Sequence, residues 1–120
     1  MSIEWNDKDF DKWQKLRNKY REAKKENNYK KVISLCETII DLDKRAKFIC
    51  IMTPLFLKDI ANAYYKLGEM SKSLKYYELA LDSFVKFRAE NKLNKPTDWL
   101  NDIDKIQKKI EMLKNKLTIF

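Results

Sequence analysis

Apolar residues recur every three or four positions along most of the chain, which is the spacing of one face of a helix. The pattern is clearest on either side of Gly68, the only glycine in the protein. Glycine adopts the left-handed conformation that ends many helices at no steric cost. The sequence therefore predicts two helices joined at Gly68, with apolar faces formed by Leu57, Ile60, Ala61, Tyr64 and Leu67 before it and by Leu74, Tyr77, Leu81 and Phe84 after it.

The same spacing predicts a second hairpin nearer the N-terminus. Its first helix runs from about residue 7 to Glu26, and Asn27-Asn28 takes the place of the glycine, since asparagine is the next best residue for a left-handed cap. The next helix starts near Tyr29, and we expect it to continue to about Ile51, with a short break near Asp43 as the alternative. The two apolar stripes are Phe10, Trp13, Leu16, Tyr20 and Ala23, then Val32, Leu35, Ile39, Leu42, Ala46 and Ile49, widened by Ile33, Cys36 and Ile40.

Three further helices follow. Thr53-Pro54 is a helix start signal, so the third helix is predicted from Pro54 to Leu67 and the fourth from about Ser71 to Glu90. Pro96 is expected to open the last helix, whose apolar residues follow a heptad spacing. This stripe either covers the exposed end of the preceding hairpin, which we favour because terminal repeats need covering, or forms the seam of a dimer. Its members are Trp99, Ile103, Ile106, Ile110, Leu113, Leu117 and Phe120.

Composition agrees with a helical protein of 120 residues, which we expect to form one domain. One glycine and two prolines leave few turns, so an all-α fold is predicted. No apolar run is long enough for a membrane span and the N-terminus lacks the order of a signal peptide, so we expect a cytoplasmic protein without a membrane partner. Cys36 and Cys50 are expected to be buried free thiols, because fourteen residues of one helix would hold them about 21 Å apart.

Charge and chemistry point to binding rather than catalysis. The formal net charge is +8, and residues 8–31 hold ten Lys/Arg against four Asp/Glu, which would attract anionic partners. The chain has no histidine and no cluster with metal-ligand spacing. A single glycine also rules out phosphate-cradling loops. We therefore expect neither an enzyme nor a cofactor or metal.

The residues around Gly68 resemble a tetratricopeptide (TPR) repeat. Ala-Tyr-Tyr-Lys-Leu-Gly, a six-residue gap and Tyr-Tyr-Glu-Leu-Ala-Leu follow that 34-residue pattern, although Ser73 stands where alanine is usual. Matching features recur after 41 or 42 residues, as from Trp13 to Pro54 and from Pro54 to Pro96, and such longer repeats resemble those of TPR-type bacterial peptide receptors. The signature positions are Leu57, Ile60, Ala61, Tyr64, Gly68, Tyr77 and Ala80.

The resemblance implies a right-handed, solenoid-like stack of two αα-hairpins, at about 7–52 and 53–91, with a C-terminal capping helix at about 96–118. In TPR arrays the first helix of each hairpin lines a concave groove. The corresponding positions here are Gln14, Arg17, Arg21, Lys24 and Lys25 in the first hairpin, Leu55, Lys58, Asn62, Tyr65 and Lys66 in the second, and Asn101 in the last helix.

Three of these residues, Lys58, Asn62 and Asn101, match positions of the carboxylate clamp of chaperone-binding TPR proteins. A carboxylate is bound well by a cation together with neutral donors. The match ends there, because no further repeat supplies the remaining basic residues of such a clamp.

The sequence thus predicts a protein-interaction module, an adaptor or regulator, that binds an acidic peptide or protein segment in a basic groove. The groove is favoured over a merely solubilising surface because Tyr65 has no place in the core stripe. Two alternatives are a nucleic-acid-binding accessory protein that acts through the basic first hairpin and a homo-oligomeric structural protein, such as a homodimer, that is joined through the C-terminal heptads. The predicted partner-binding residues are Arg17, Arg21, Lys24, Lys58, Asn62, Tyr65, Lys66 and Asn101.

Overall fold

A computed structural model describes residues 7–46, 53–90 and 93–118. These residues form helices and connecting turns without a strand, which confirms the predicted all-α fold class. The helices are α1 (Asp7–Lys25), α2 (Tyr29–Ala46), α3 (Thr53–Lys66), α4 (Met70–Glu90) and α5 (Leu100–Thr118).

The chain divides into two compact units, residues 1–52 and 53–120. In the first unit α1 packs against α2. Arg45 near the end of α2 lies 3.1 Å from the carboxylate of Asp9 near the start of α1, so the two helices are antiparallel. The buried apolar residues of this unit are Ala23, Val32, Ile33, Cys36, Ile39, Ile40 and Leu42.

The second unit consists of the α3–α4 hairpin and α5, which packs on α4. Small residues allow close approach of α3 and α4, because Ala61, Ala63 and Ala80 are all buried. The fully buried Ser73 hydroxyl donates a 2.8 Å hydrogen bond to the carbonyl of Ala61, so its polar atom is satisfied. The core of this unit contains Ala61, Tyr77, Ala80, Phe84, Ile106, Ile110 and Leu113.

The two hairpin turns have the same hydrogen-bond pattern. Asn27 has a φ of 55° and Gly68 a φ of 80°, so both residues take the left-handed conformation predicted for them. The next amide in each turn, that of Asn28 or Glu69, donates to a carbonyl five residues earlier at 2.9 Å, which is the Schellman arrangement. These equivalent turns lie 41 residues apart, the spacing seen in the sequence.

The predicted start of the last helix at Pro96 is wrong, because α5 begins at Leu100. Residues 96–99 form a turn instead, and Trp99 has a φ of 70°, a conformation that a bulky residue rarely adopts. The Trp99 ring lies 5.8 Å from Phe84 and 6.5 Å from Phe87 between centroids, and the Arg88 guanidinium donates to the carbonyls of residues 96 and 98. These contacts hold the turn in place.

Other boundaries differ less. Helix α2 continues without a break past Asp43 to Ala46, while the predicted extension to Ile51, together with Ile49 and Cys50, lies outside the described residues. Helix α3 ends at Lys66, one residue before Leu67. The side chain of Leu67 is 38% exposed in the turn, so its predicted place on the apolar face is wrong.

The heptad stripe of α5 is used inside the second unit. Ile106, Ile110 and Leu113 are buried in its core, while Trp99 and Ile103 pack against it. Phe120 lies outside the described residues. This packing favours a helix that covers the hairpin over a dimer seam, because residues buried in the core of their own unit cannot also form an interface with a second chain.

Candidate partner-binding surface

Side chains of α3 and α5 meet along one side of the second unit. The ammonium group of Lys58 lies 3.7 Å from a carboxylate oxygen of Asp102. Two turns further along both helices, the ring of Tyr65 lies 5.0 Å from the ammonium of Lys109. Equal steps of seven residues along α3 and α5 show that the two helices run in the same direction here. We call the surface formed by Lys58, Asn62, Tyr65, Asp102, Lys109 and Lys116 the α3–α5 surface.

Tyr65 is the centre of this surface. The ammonium of Lys116 is 5.6 Å from the same ring centroid, so two cations contact one aromatic side chain. Each such contact contributes about 0.5–1 kcal/mol at an exposed site. Tyr65 is also half-buried and packs against the core of the unit. The prediction that it has no place in the core is therefore wrong, since its ring serves both the core and the surface.

Lys58 is half-buried and already has a carboxylate partner in its own chain, Asp102. A partner carboxylate bound in the manner of a TPR clamp would have to compete with Asp102 for this ammonium. Asn101, the clamp-matching residue of α5, is exposed at the start of that helix. The structure thus shows an internal ion pair where the sequence predicted a cation available to a ligand.

Asn62 is held by a buried neighbour. The Tyr77 hydroxyl donates a hydrogen bond to the amide oxygen of Asn62, which is itself exposed. Burial raises the pKa of Tyr77 to about 12, with smaller contributions from Tyr65 and Asp59. The phenol therefore stays protonated and remains a donor. This bond fixes the amide oxygen inward and leaves the amide NH2 as the group that Asn62 offers to a ligand.

The predicted residues of the first unit lie on one face of α1. Arg17, Arg21 and Lys24 are exposed and spaced four and three apart. The Arg17 guanidinium lies 5.8 Å from the Trp13 ring, and the Lys24 ammonium 5.2 Å from the Tyr20 ring. These three residues belong to one compact unit and Lys58 to the other. That they line one groove together stays a prediction.

Of the predicted residues in the second unit, the structure brings Lys58, Asn62 and Tyr65 onto the α3–α5 surface, with Lys66 exposed in the last turn of α3. Sequence reasoning missed Asp102, Lys109 and Lys116. Their seven-residue spacing places them on one stripe of α5 and is visible in the sequence. It becomes meaningful only once α5 is seen to lie beside α3.

The α3–α5 surface carries three ammonium groups and one carboxylate, so its net charge is positive. Within the described ranges, no three His, Cys, Asp or Glu side chains are grouped so that they could hold a metal ion. In the same residues, no helix combines the length and apolar character needed to cross a bilayer.

Comparison with known proteins leaves the family open. No protein-family model matches the chain, and no curated protein or solved structure matches it either. The resemblance to TPR repeats therefore stays a prediction that rests on the residues around Gly68 and on the 41-residue spacing.

Proposed function

We propose that this protein is a non-enzymatic, TPR-like interaction module, a cytoplasmic adaptor or regulator, that binds an acidic peptide or protein segment on its α3–α5 surface. The observation that carries the proposal is the convergence of Lys109 and Lys116 on the ring of Tyr65. Two cations at one aromatic ring repel each other, and an anionic ligand would relieve that repulsion.

The arrangement suggests how such a segment would bind. The ammonium groups of Lys109 and Lys116 both lie within 5.6 Å of the Tyr65 ring centroid, so two neighbouring acidic side chains of the segment could contact both. The ring of Tyr65 offers an apolar contact beside them. The amide NH2 of Asn62 is suited to a backbone carbonyl of the segment.

The exposed cations of α1 would contribute at longer range. Arg17, Arg21 and Lys24 add positive charge that raises the rate of encounter with an acidic partner. We expect this contribution to weaken as salt is added, because exposed charges are screened over about 10 Å at 0.1 M salt.

The proposal is tested by titrating the full chain with a blocked octaglutamate peptide and measuring affinity by calorimetry. Replacing Lys109 and Lys116 together by glutamine should weaken binding at least about tenfold. The matched control replaces Lys108 and Lys114 by glutamine. Both lysines are exposed on the same helix, and the double substitution removes the same charge. Equal affinity for wild type and the Lys109/Lys116 variant, or an equal loss in the control, would contradict the proposal.

A second experiment, with peptides that differ at the C-terminus, tests the clamp-like contact of Lys58 separately. If Lys58 exchanges Asp102 for the terminal carboxylate of a ligand, a peptide with a free C-terminus should bind more tightly than its amidated form. Lys58→Gln should remove that difference while leaving most of the affinity for the amidated peptide. Identical affinities for the two peptides would show that Lys58 does not bind the terminal carboxylate of a ligand and pairs only with Asp102 of its own chain.

A further inference from the structure

A second charged feature lies on α1, away from the face that carries Arg17 and Arg21. Lys8, Lys12, Lys15 and Lys19 are all exposed and are spaced four, three and four residues apart, so they form a single row along the helix. We call them the lysine row. Together with Asp11 and Leu16 they line a shallow depression of about 450 Å³.

This row is unfavourable for the isolated helix. Like charges three or four residues apart destabilise a helix, and each neighbouring pair in the row has that spacing. Lys8 also lies in the first turn of α1, where the helix dipole disfavours a cation. Asp11 is four residues before Lys15 and offsets part of this repulsion, but it is the only acidic residue lining the depression.

Three lysines of the row have no ion-pair partner within the described residues: Lys12, Lys15 and Lys19. The three ammonium groups are therefore available to an external anion.

We propose that the lysine row binds the phosphodiester backbone of a nucleic acid without reading its bases. Successive lysines are about 4.5 to 6 Å apart along the helix axis, a regular spacing suited to the repeated charges of such a backbone. In the described part of the chain, no aromatic residue lines the depression beside the row, so it offers no ring for base stacking. Binding is consequently tolerant of sequence.

An acidic protein segment fits this row less well. Its charges repeat irregularly, and it gains from amide and aromatic contacts such as those of the α3–α5 surface. The lysine row offers one leucine and no neutral donor side chain. The two surfaces therefore differ in the class of anion they suit.

The test measures binding of the full chain to labelled oligothymidylate and to a duplex of the same length, by fluorescence anisotropy over a range of salt. Three phosphate contacts, one each from Lys12, Lys15 and Lys19, give a slope of log affinity against log salt of about −2 for the single strand. Replacing Lys12 and Lys15 together by glutamine should lower the affinity at least about tenfold at low salt and reduce the slope by about 1.4.

The matched control replaces Lys30 and Lys44 of α2 by glutamine. Both lysines are exposed, and the double substitution removes the same charge. It should change the affinity less than about threefold, and circular dichroism should show both variants folded. Absent binding at low salt, an equal loss in the control, or equal competition by polyglutamate of the same length would each overturn the proposal. The first two of these results do not bear on Lys109 or Lys116, so failure of the lysine row can be told apart from failure of the α3–α5 surface.

Discussion

Tyr77 joins the core of the second unit to the candidate binding surface. Its side chain is almost fully buried, and its hydroxyl reaches the exposed amide of Asn62. Burial of the phenol, helped by Tyr65 and Asp59, raises its pKa to about 12. One side chain thereby contributes both to stability and to the orientation of a predicted ligand contact.

This residue makes stability depend on alkaline pH. The folded state holds the Tyr77 proton more tightly than the unfolded chain, where the pKa is about 10. Its contribution is therefore complete below pH 10 and is lost as the pH rises towards 12. We expect the free energy of unfolding to fall by roughly 1–2 kcal/mol over that interval beyond the fall seen in Tyr77→Phe. Urea unfolding of the wild type and of Tyr77→Phe at pH 9 and 11.5 measures this difference. An equal fall in the free energy of unfolding for both proteins would contradict the raised pKa of Tyr77.

Ser73 tests the contact between α3 and α4. Its buried hydroxyl donates to the carbonyl of Ala61, where the TPR pattern usually has alanine. Ser73→Ala should lower the free energy of unfolding by about 1 kcal/mol, the usual worth of such a hydrogen bond. Ser71→Ala, on the exposed side of α4, is the control and should have little effect. A stabilised Ser73→Ala variant would show that the hydroxyl is tolerated rather than required.

At the scale of elements, the hairpin turns depend on residues that accept a left-handed backbone. A Cβ atom added at Gly68 would meet nothing within 4 Å, so the cost of a substitution there is conformational and not steric. Gly68→Ala should lower the free energy of unfolding by about 1 kcal/mol, and Gly68→Asn by less. At the equivalent turn, Asn27→Gly should be neutral or slightly stabilising. Equal effects of alanine and asparagine at residue 68 would contradict this explanation.

Helix α5 tests the use of the heptad stripe. Leu113 is fully buried in the core of the second unit, so Leu113→Ala should lower the free energy of unfolding by about 2–5 kcal/mol. The loss should not vary with protein concentration, because the contact is within one chain. Light scattering of the wild type should show a monomer. A midpoint of unfolding that rises with concentration, in wild type but not in the variant, would indicate a dimer seam instead.

The helices themselves could be predicted from sequence because apolar spacing and turn residues agreed. Asn27 and Gly68 marked the turns, and the apolar stripes marked the buried faces. The start of the last helix was predicted wrongly at Pro96, because a proline in the first turn of a helix cannot be distinguished by sequence from one in the turn that precedes it. The left-handed Trp99 that decides between them is held by Phe84 and Arg88, which are distant in sequence.

The candidate site was less predictable, because its partners come from different helices. Tyr65 was recognised, but its two lysines were not, since nothing in the sequence places α5 beside α3. The same holds for Lys58, because the sequence does not show that its ammonium group pairs with Asp102 of another helix. Long-range pairing of side chains was the missing information.

At the scale of the whole molecule, the net charge of +8 favours the binding of anions, and both proposed ligands, an acidic segment and a nucleic acid, are anionic. Affinity for an acidic peptide and for an oligonucleotide should both fall with salt. We expect the two ligands to bind independently, because the α3–α5 surface and the lysine row share no residue. Titrating octaglutamate in the presence of saturating oligothymidylate measures this, and mutual exclusion would indicate one shared site.

The central claim is that an acidic segment binds where Lys109 and Lys116 flank Tyr65. The most direct measurement is the change in backbone amide NMR shifts when octaglutamate is added to the labelled full chain. We expect the largest shifts at residues 58–66 of α3 and 102–116 of α5, and their loss when Lys109 and Lys116 are both replaced by glutamine. Shifts confined to α1, or unchanged in that variant, would contradict the claim.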